Sequence, residues 1–261
     1  MLRPYELAIA LRYVRSRNKN RFISFISVIS MAGIALAVAV LIMVLSVMNG
    51  FESEVRNRIL QIVAHASITG LEGRISDWRS LAAVAGQDPD VRSVARFVDG
   101  QAMLVGPAEI RGVQLRGIDP ASELRTSALG SLMVDGNLEA LEPGNFGIVI
   151  GRTLAEQLGV AVGDSLIVLV SQGITTPAGV VPRMRRFRVT GIFYAGMYEF
   201  DRALVFVNIA DAQRLFRFGE DVTGVRLAIN DPLQAPTVVR SVANAWGGGV
   251  YVTDWTREHG N

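Results

Sequence analysis

The chain has 261 residues, no cysteine and two histidines, and its 26 basic and 24 acidic residues leave a formal charge of +2. Without cysteine there is no disulfide framework, no lipid-modified cysteine and no thiol chemistry. A zinc centre built around the distant His65 and His259 would need mostly carboxylates. The small net charge hides an asymmetry. Residues 1–50 hold six basic side chains against Glu6 alone, whereas residues 51–261 hold twenty Arg against twenty-three acids, which argues against a nucleic-acid partner.

Residues 4–17, PYELAIALRYVRSR, set Tyr5, Ala8, Ile9, Arg12 and Tyr13 at helical spacing, a pattern that predicts a short helix in the membrane surface. Phe22 to Met48 follow as 27 residues without charge or proline and with one glycine. A bilayer core about 30 Å thick needs roughly 20 apolar residues in a helix, so this run is long enough to span it. It is also longer than the apolar region of a cleaved signal peptide. Arg3, Arg12, Arg15, Arg17, Lys19 and Arg21 precede it, so the positive-inside rule puts residues 1–21 in the cytoplasm and the chain beyond Phe51 outside. The organisation predicted is a cytoplasmic interfacial helix and basic flank (1–21), a transmembrane helix (22–50) and an outer domain (51–261). Within the span, Gly33 with Ala37 forms a small-xxx-small pair suited to helix packing. Phe51, Val55, Ile59, Ile62 and Val63 keep a helical stripe, predicting a stalk to about His65.

In the outer domain Asp77 reads as the N-cap of WRSLAAVAG. Strands are predicted at Val94–Val98, Ala102–Val105 and Ile110–Ile118. Residues 119–145 look irregular, with turn signals at Gly136 and Pro143-Gly144. A buried strand, Phe146–Ile150, leads to a helix, Thr153–Leu158, stopped by Gly159. Further strands follow at Leu166–Val170, Phe187–Phe193, Leu204–Val207, Gly224–Ile229 and Val250–Thr253, with helices at Ala210–Phe216 and Pro236–Trp246. The class is α+β, a mixed and mostly antiparallel sheet with short helices. Residues 95–145 are the candidate for a separate subdomain.

Catalytic signatures are missing. GxxxxGK[ST] is absent and Lys19 is the only lysine, so no P-loop is present. There is no GxSxG. Glu199 and Asp201 are a conceivable acid pair but read better as solvent-exposed acids beside a strand. The chain therefore reads as non-enzymatic. The segment that looks functional is SQGITTPAGVVPRMRR, residues 171–186, taken as a long loop without helical or alternating period. Arg183, Arg185, Arg186 and Arg188 crowd its end, a group able to grip carboxylates or an acidic patch bidentately. The alternative is a long hairpin with a solvated basic strand.

LRYVRSRNKNRFISFISVISMAGIALAVAVLIMVLSVMNGF, TTPAGVVPRMRRFRVTGIF, AGMYEFDRALVFVN and the closing DWTREH resemble the lipoprotein-releasing ABC permeases of the LolC/LolE family. The resemblance covers nearly the whole chain. It implies a MacB-like permease of the bacterial inner membrane, with the domain after the first helix in the periplasm. It also implies a second LolC/LolE-type permease subunit, a LolD-type ATPase that binds ATP and Mg, lipoprotein cargo and a LolA-type periplasmic chaperone. No cofactor is expected on this chain itself. The chain ends where a second membrane helix should begin, so a membrane half is expected to be missing from it. Residues 171–186 fall where such permeases carry a chaperone-binding hook, which implicates Gln172, Thr176, Pro177, Gly179, Pro182, Arg183, Arg185 and Arg186. The first helix lines the lipid-receiving cavity in such permeases, which implicates Met43, Val44, Val47 and Met48. The alternatives left open are MacB-like efflux, mechanical control of a cell-wall hydrolase, and a single-pass sensor or scaffold.

Overall fold

The computed structural model describes Tyr5 and residues 21–62, 65–176 and 179–255. It divides into two compact units, Met1–Arg56 and Asn57–Asn261. The interfacial helix expected at 4–17 lies outside the described residues, apart from a helical Tyr5.

The apolar run lies in one helix, Arg21–Ile62, of 42 residues. Its segment Phe25–Phe51 has a mean hydropathy of 2.9 and is long and apolar enough to cross a membrane. At 1.5 Å per residue the whole helix is about 63 Å long, roughly twice the thickness of a hydrocarbon core. The expected span and stalk are therefore continuous helix, and Asn49-Gly50 does not break it. Gly33, Ala37, Met43, Val44, Val47 and Met48 are all exposed on this helix.

The second unit contributes ten strands among the described residues: β1 (Ala66–Gly70), β2 (Val91–Val105), β3 (Ile110–Ile118), β4 (Met133–Gly136), β5 (Gly147–Gly151), β6 (Ser165–Thr176), β7 (Gly179–Phe193), β8 (Leu204–Asn208), β9 (Gly224–Ile229) and β10 (Val250–Asp254). They run in the order β10-β1-β9-β2-β3-β8-β5-β7-β4, and β6 bonds to both β2 and β7. The strands β2, β3, β8, β5, β7 and β6 thus form a closed ring, with β9, β1 and β10 fanning out from β2. The two parallel pairs, β3 with β8 and β5 with β7, interrupt an otherwise antiparallel sheet. β5, β8 and β9 are buried at every position, as expected for apolar strands covered on both faces.

β2 is a single strand of 15 residues where the sequence suggested two. Gly100, the apparent break, is a packing residue. A Cβ there would lie 2.4 Å from the Phe216 ring, so only glycine lets that ring approach the strand. The helix Ile209–Phe216 that supplies the ring is capped by Asn208, whose Oδ1 accepts from the Ala210 amide at 2.9 Å. Asp77 caps Trp78–Gln87 as its position predicted.

Residues 95–145 do not form a separate body. β2 and β3 sit within the ring, and the smaller of two apolar clusters draws on Ile118, Leu129, Leu138, Val149, Phe193 and Phe206 from across that boundary. The irregular stretch after Ile118 includes the helix Pro120–Thr126, which carries Glu123. Glu123 is fully buried and pairs with the buried Arg226 of β9, while Ser127 Oγ donates to its other oxygen at 2.5 Å. That contact spans 103 residues of sequence and docks the helix, which local pattern alone could not indicate. Asp201 corrects another expectation. It is buried and accepts from the Ala195 amide at 2.7 Å, so it serves as a turn acceptor and not as a solvent-exposed acid.

His65 precedes β1, and its Nδ1 lies 2.9 Å from the Ile229 amide, which donates to it. Burial, followed by the opposing Ile229 carbonyl contact and then Arg92, leaves its pKa below 6.5. The unfolded chain therefore takes up this proton at a higher pH than the folded chain does. Stability rises with pH wherever the unfolded state holds more protons, so it should fall as pH drops through 6.5 and level off below the folded pKa. Urea unfolding at several pH values should show that slope, and His65→Gln should flatten it.

Candidate docking site on the β6–β7 hairpin

Residues 171–186, expected as an aperiodic loop, are two paired strands. Val170 pairs with Arg183, Ile174 with Val181, Thr175 with Val180 and Thr176 with Gly179. Between the first two pairs, Ser171, Gln172 and Gly173 face the single residue Pro182. Proline has no amide to give the ladder, so the register shifts at this bulge. β6 pairs with β2 only from Ile167 to Val170. Beyond Val170 the described strand pairing of β6 is with β7. Pro177 lies outside the described residues.

The arginine cluster does not form one gripping surface. Successive side chains on a strand point to opposite faces. Phe187 and Val189 are buried inside the ring, so Arg183 and Arg185 share their face, while Arg186 and Arg188 point outward. Where β7 leaves the core, Arg183 and Arg185 meet a different surface. Arg183 Nη1 donates to the Leu215 carbonyl at 3.3 Å. The Arg185 guanidinium sits 4.2 Å from the Phe146 ring centroid, a cation–π contact. Phe146 in turn meets Phe187 edge-to-face at 5.4 Å. Phe146, Arg183, Arg185 and Leu215, with Pro182, Met184 and Arg214, line an open cleft of about 480 Å³ at the base of the hairpin.

Phe146 is held in a left-handed conformation, φ 50°. The buried Asp211 carboxylate fixes it, accepting from the Gly144 amide at 2.9 Å and from the Phe146 amide at 3.1 Å. The Arg188 amide donates to the Phe146 carbonyl at 2.9 Å, tying the turn to β7. Asp211 thereby supports the cleft floor without lining it.

The sequence pattern did not single out the opposite, outward face. Cross-strand register puts Gly112, Met103, Leu169 and Met184 in one row over β3, β2, β6 and β7, with Ile110, Val105, Ile167 and Arg186 in the next. Met103, Ile110 and Met184 are 45%, 58% and 60% exposed. An apolar stripe with two flexible methionines therefore adjoins the hairpin, bounded by Arg186. The signal lay in the alternation of β2 and β3, but only the pairing makes the separate residues one patch.

Asp211→Ala should leave two backbone amides without acceptors and lower stability by about 1–3 kcal/mol. Asp211→Asn, which keeps one carbonyl oxygen, should recover part of the loss. Chemical denaturation of both variants checks this.

The sequence profile of the MacB-like periplasmic core domain matches residues 27–245. The chain is 44% identical over all its residues to the lipoprotein-releasing system transmembrane protein LolC of Xylella fastidiosa strain 9a5c, covering 63% of that protein. It is 43% identical to LolC of Neisseria meningitidis serogroup B over 96% of its length, covering 61% of that protein. It is 32% identical to the lipoprotein-releasing system transmembrane protein LolE of Haemophilus influenzae over 97% of its length, again covering 61%. The chain thus spans somewhat under two thirds of the curated relatives it matches. It belongs to the MacB-like periplasmic core domain family, as a LolC/LolE-type member.

Proposed function

We propose that this chain acts in an ABC transporter that releases lipoproteins from the bacterial inner membrane. The observation that carries the reading is the collinear similarity, over essentially the whole chain, to proteins named for lipoprotein release. In this reading residues 1–21 are cytoplasmic, Phe25–Phe51 crosses the membrane and the ring domain is periplasmic. The excess of basic residues before the span supports that direction. A LolD-type ATPase on a separate chain binds ATP and Mg and drives the cycle, and a second LolC/LolE-type subunit completes the permease. The chain itself is non-catalytic and needs no cofactor of its own. Among the described residues no three His, Cys, Asp or Glu side chains gather as a metal site. Met43, Val44, Val47 and Met48 face the acyl chains of the cargo, a role suited to exposed apolar side chains, two of them flexible methionines.

The β6–β7 hairpin is the docking element for a LolA-type chaperone. Three features support this. The arm extends past the stretch where β6 pairs with β2, its base forms a cleft with both aromatic and cationic walls, and an exposed apolar stripe continues from it. Gln172, Thr176 and Gly179 belong to the arm beyond the ring, while Pro182, Arg183, Arg185 and Arg186 belong to its base. Strands that are already paired can present their backbone to a partner at reduced ordering cost.

Replacing residues 171–182 by an Asn-Gly turn keeps the Val170–Arg183 pair and closes a two-residue hairpin. Binding to the chaperone should weaken about tenfold or more, with the unfolding transition unchanged. Unchanged affinity would remove the hairpin from the interface. Protease added outside spheroplasts should cut beyond residue 51, and full protection of that region would reverse the orientation.

A further inference from the structure

A second cavity, of about 220 Å³, lies on the fanned part of the sheet where β10, β1, β9 and β2 run side by side. Its most unusual feature is Arg226. The side chain is 3% exposed, and one nitrogen, Nη2, pairs with Glu123. Nε and Nη1 are buried and have no hydrogen-bond partner. Buried guanidinium donors rarely remain unpaired, because the lost hydration has nothing to replace it.

The register explains how a cavity forms beside these donors. Ser67 pairs directly with Arg226 on one side and with Thr253 on the other, so two hydroxyl side chains extend the row away from the guanidinium. In the next row Thr69 and Phe97 both pair with Gly224, which has no side chain to fill the space between them. The Cβ of any other residue at position 224 would lie 2.1 Å from the Ile68 carbonyl oxygen, so that gap is built into the strand spacing. Phe97, Phe200 and Leu204 supply an apolar wall.

The acids nearby are already engaged. Both oxygens of Asp99 accept from Arg116, each at 2.7 Å, and Oδ2 also accepts from Gln114 at 3.2 Å. Glu123 already accepts from Arg226 and Ser127, one on each oxygen. Nε and Nη1 of Arg226 thus have no hydrogen-bond acceptor, and the guanidinium carbon lies 5.9 Å from the Phe97 ring centroid. Asp99 and Asp254 in the lining disfavour a dianion, while the apolar wall favours a carbon skeleton. We propose that this cavity is a binding site for a small organic monocarboxylate, held by Nε and Nη1 of Arg226 and flanked by the Ser67 and Thr253 hydroxyls. A planar carboxylate matches two adjacent guanidinium nitrogens bidentately.

The test uses the whole chain in detergent micelles and follows the Arg226 Nε–H resonance, identified by its loss in Arg226→Lys. Benzoate should shift that resonance saturably, and inorganic phosphate should not. Ser67→Leu narrows the cavity and leaves the Arg226–Glu123 pair in place, so it should weaken benzoate binding at least about tenfold while the protein stays folded. Three results would each overturn the proposal: no saturable shift with benzoate, equal benzoate affinity in Ser67→Leu, or binding of phosphate in preference to benzoate.

Discussion

The position of β6 governs the architecture of the outer unit. Its residues Ile167–Val170 bond to β2 on one edge, and its Ser165–Val170 stretch bonds to β7 on the other. A strand with both edges satisfied closes the ring and leaves no open ladder at that point. The closure also defines where the hairpin begins. Past Val170 the pairing with β2 stops, because β2 continues from Ala102 toward Val91 alongside β9, and Pro182 interrupts the ladder between β6 and β7. The arm thus begins where the edge of β2 passes from β6 to β9.

The same alternation that builds the core divides the basic residues at the hairpin base. Phe187 and Val189 must face inward, so Arg183 and Arg185 stack over Leu215 and Phe146, and Arg186 and Arg188 face solvent on the other side. The result is two chemically different surfaces at one base: a cationic and aromatic cleft, and an apolar stripe edged by charge. In the proposed docking role the first surface would supply orientation and the second contact area.

Buried acids organise the loops that local propensity leaves undetermined. Glu123 docks a short helix through Arg226, Asp211 holds the turn under Arg185, and Asp201 gathers the turn after β7. Each carboxylate is buried with its acceptor capacity used, the condition under which burial of such a group is tolerated. Arg226 differs from these acids in that two of its donors, Nε and Nη1, are unused beside a cavity.

The membrane-length helix, the α+β class, most strand and helix positions and the caps at Asp77 and Gly159 were legible from the residues, because they depend on composition, period and neighbours a few positions away. The resemblance to lipoprotein-releasing permeases was legible for the same reason, being carried by contiguous segments. Gly100 misled because a glycine needed for ring packing looks like one needed for a turn. The segment 171–186 misled because Pro182 and the three-residue bulge opposite it break the alternation that marks a strand. Which arginines share a face, which separated apolar residues form one stripe, and which acid meets Arg226 were decided only by tertiary structure. They depend on strand register and on contacts between residues far apart in the chain, which no local pattern encodes.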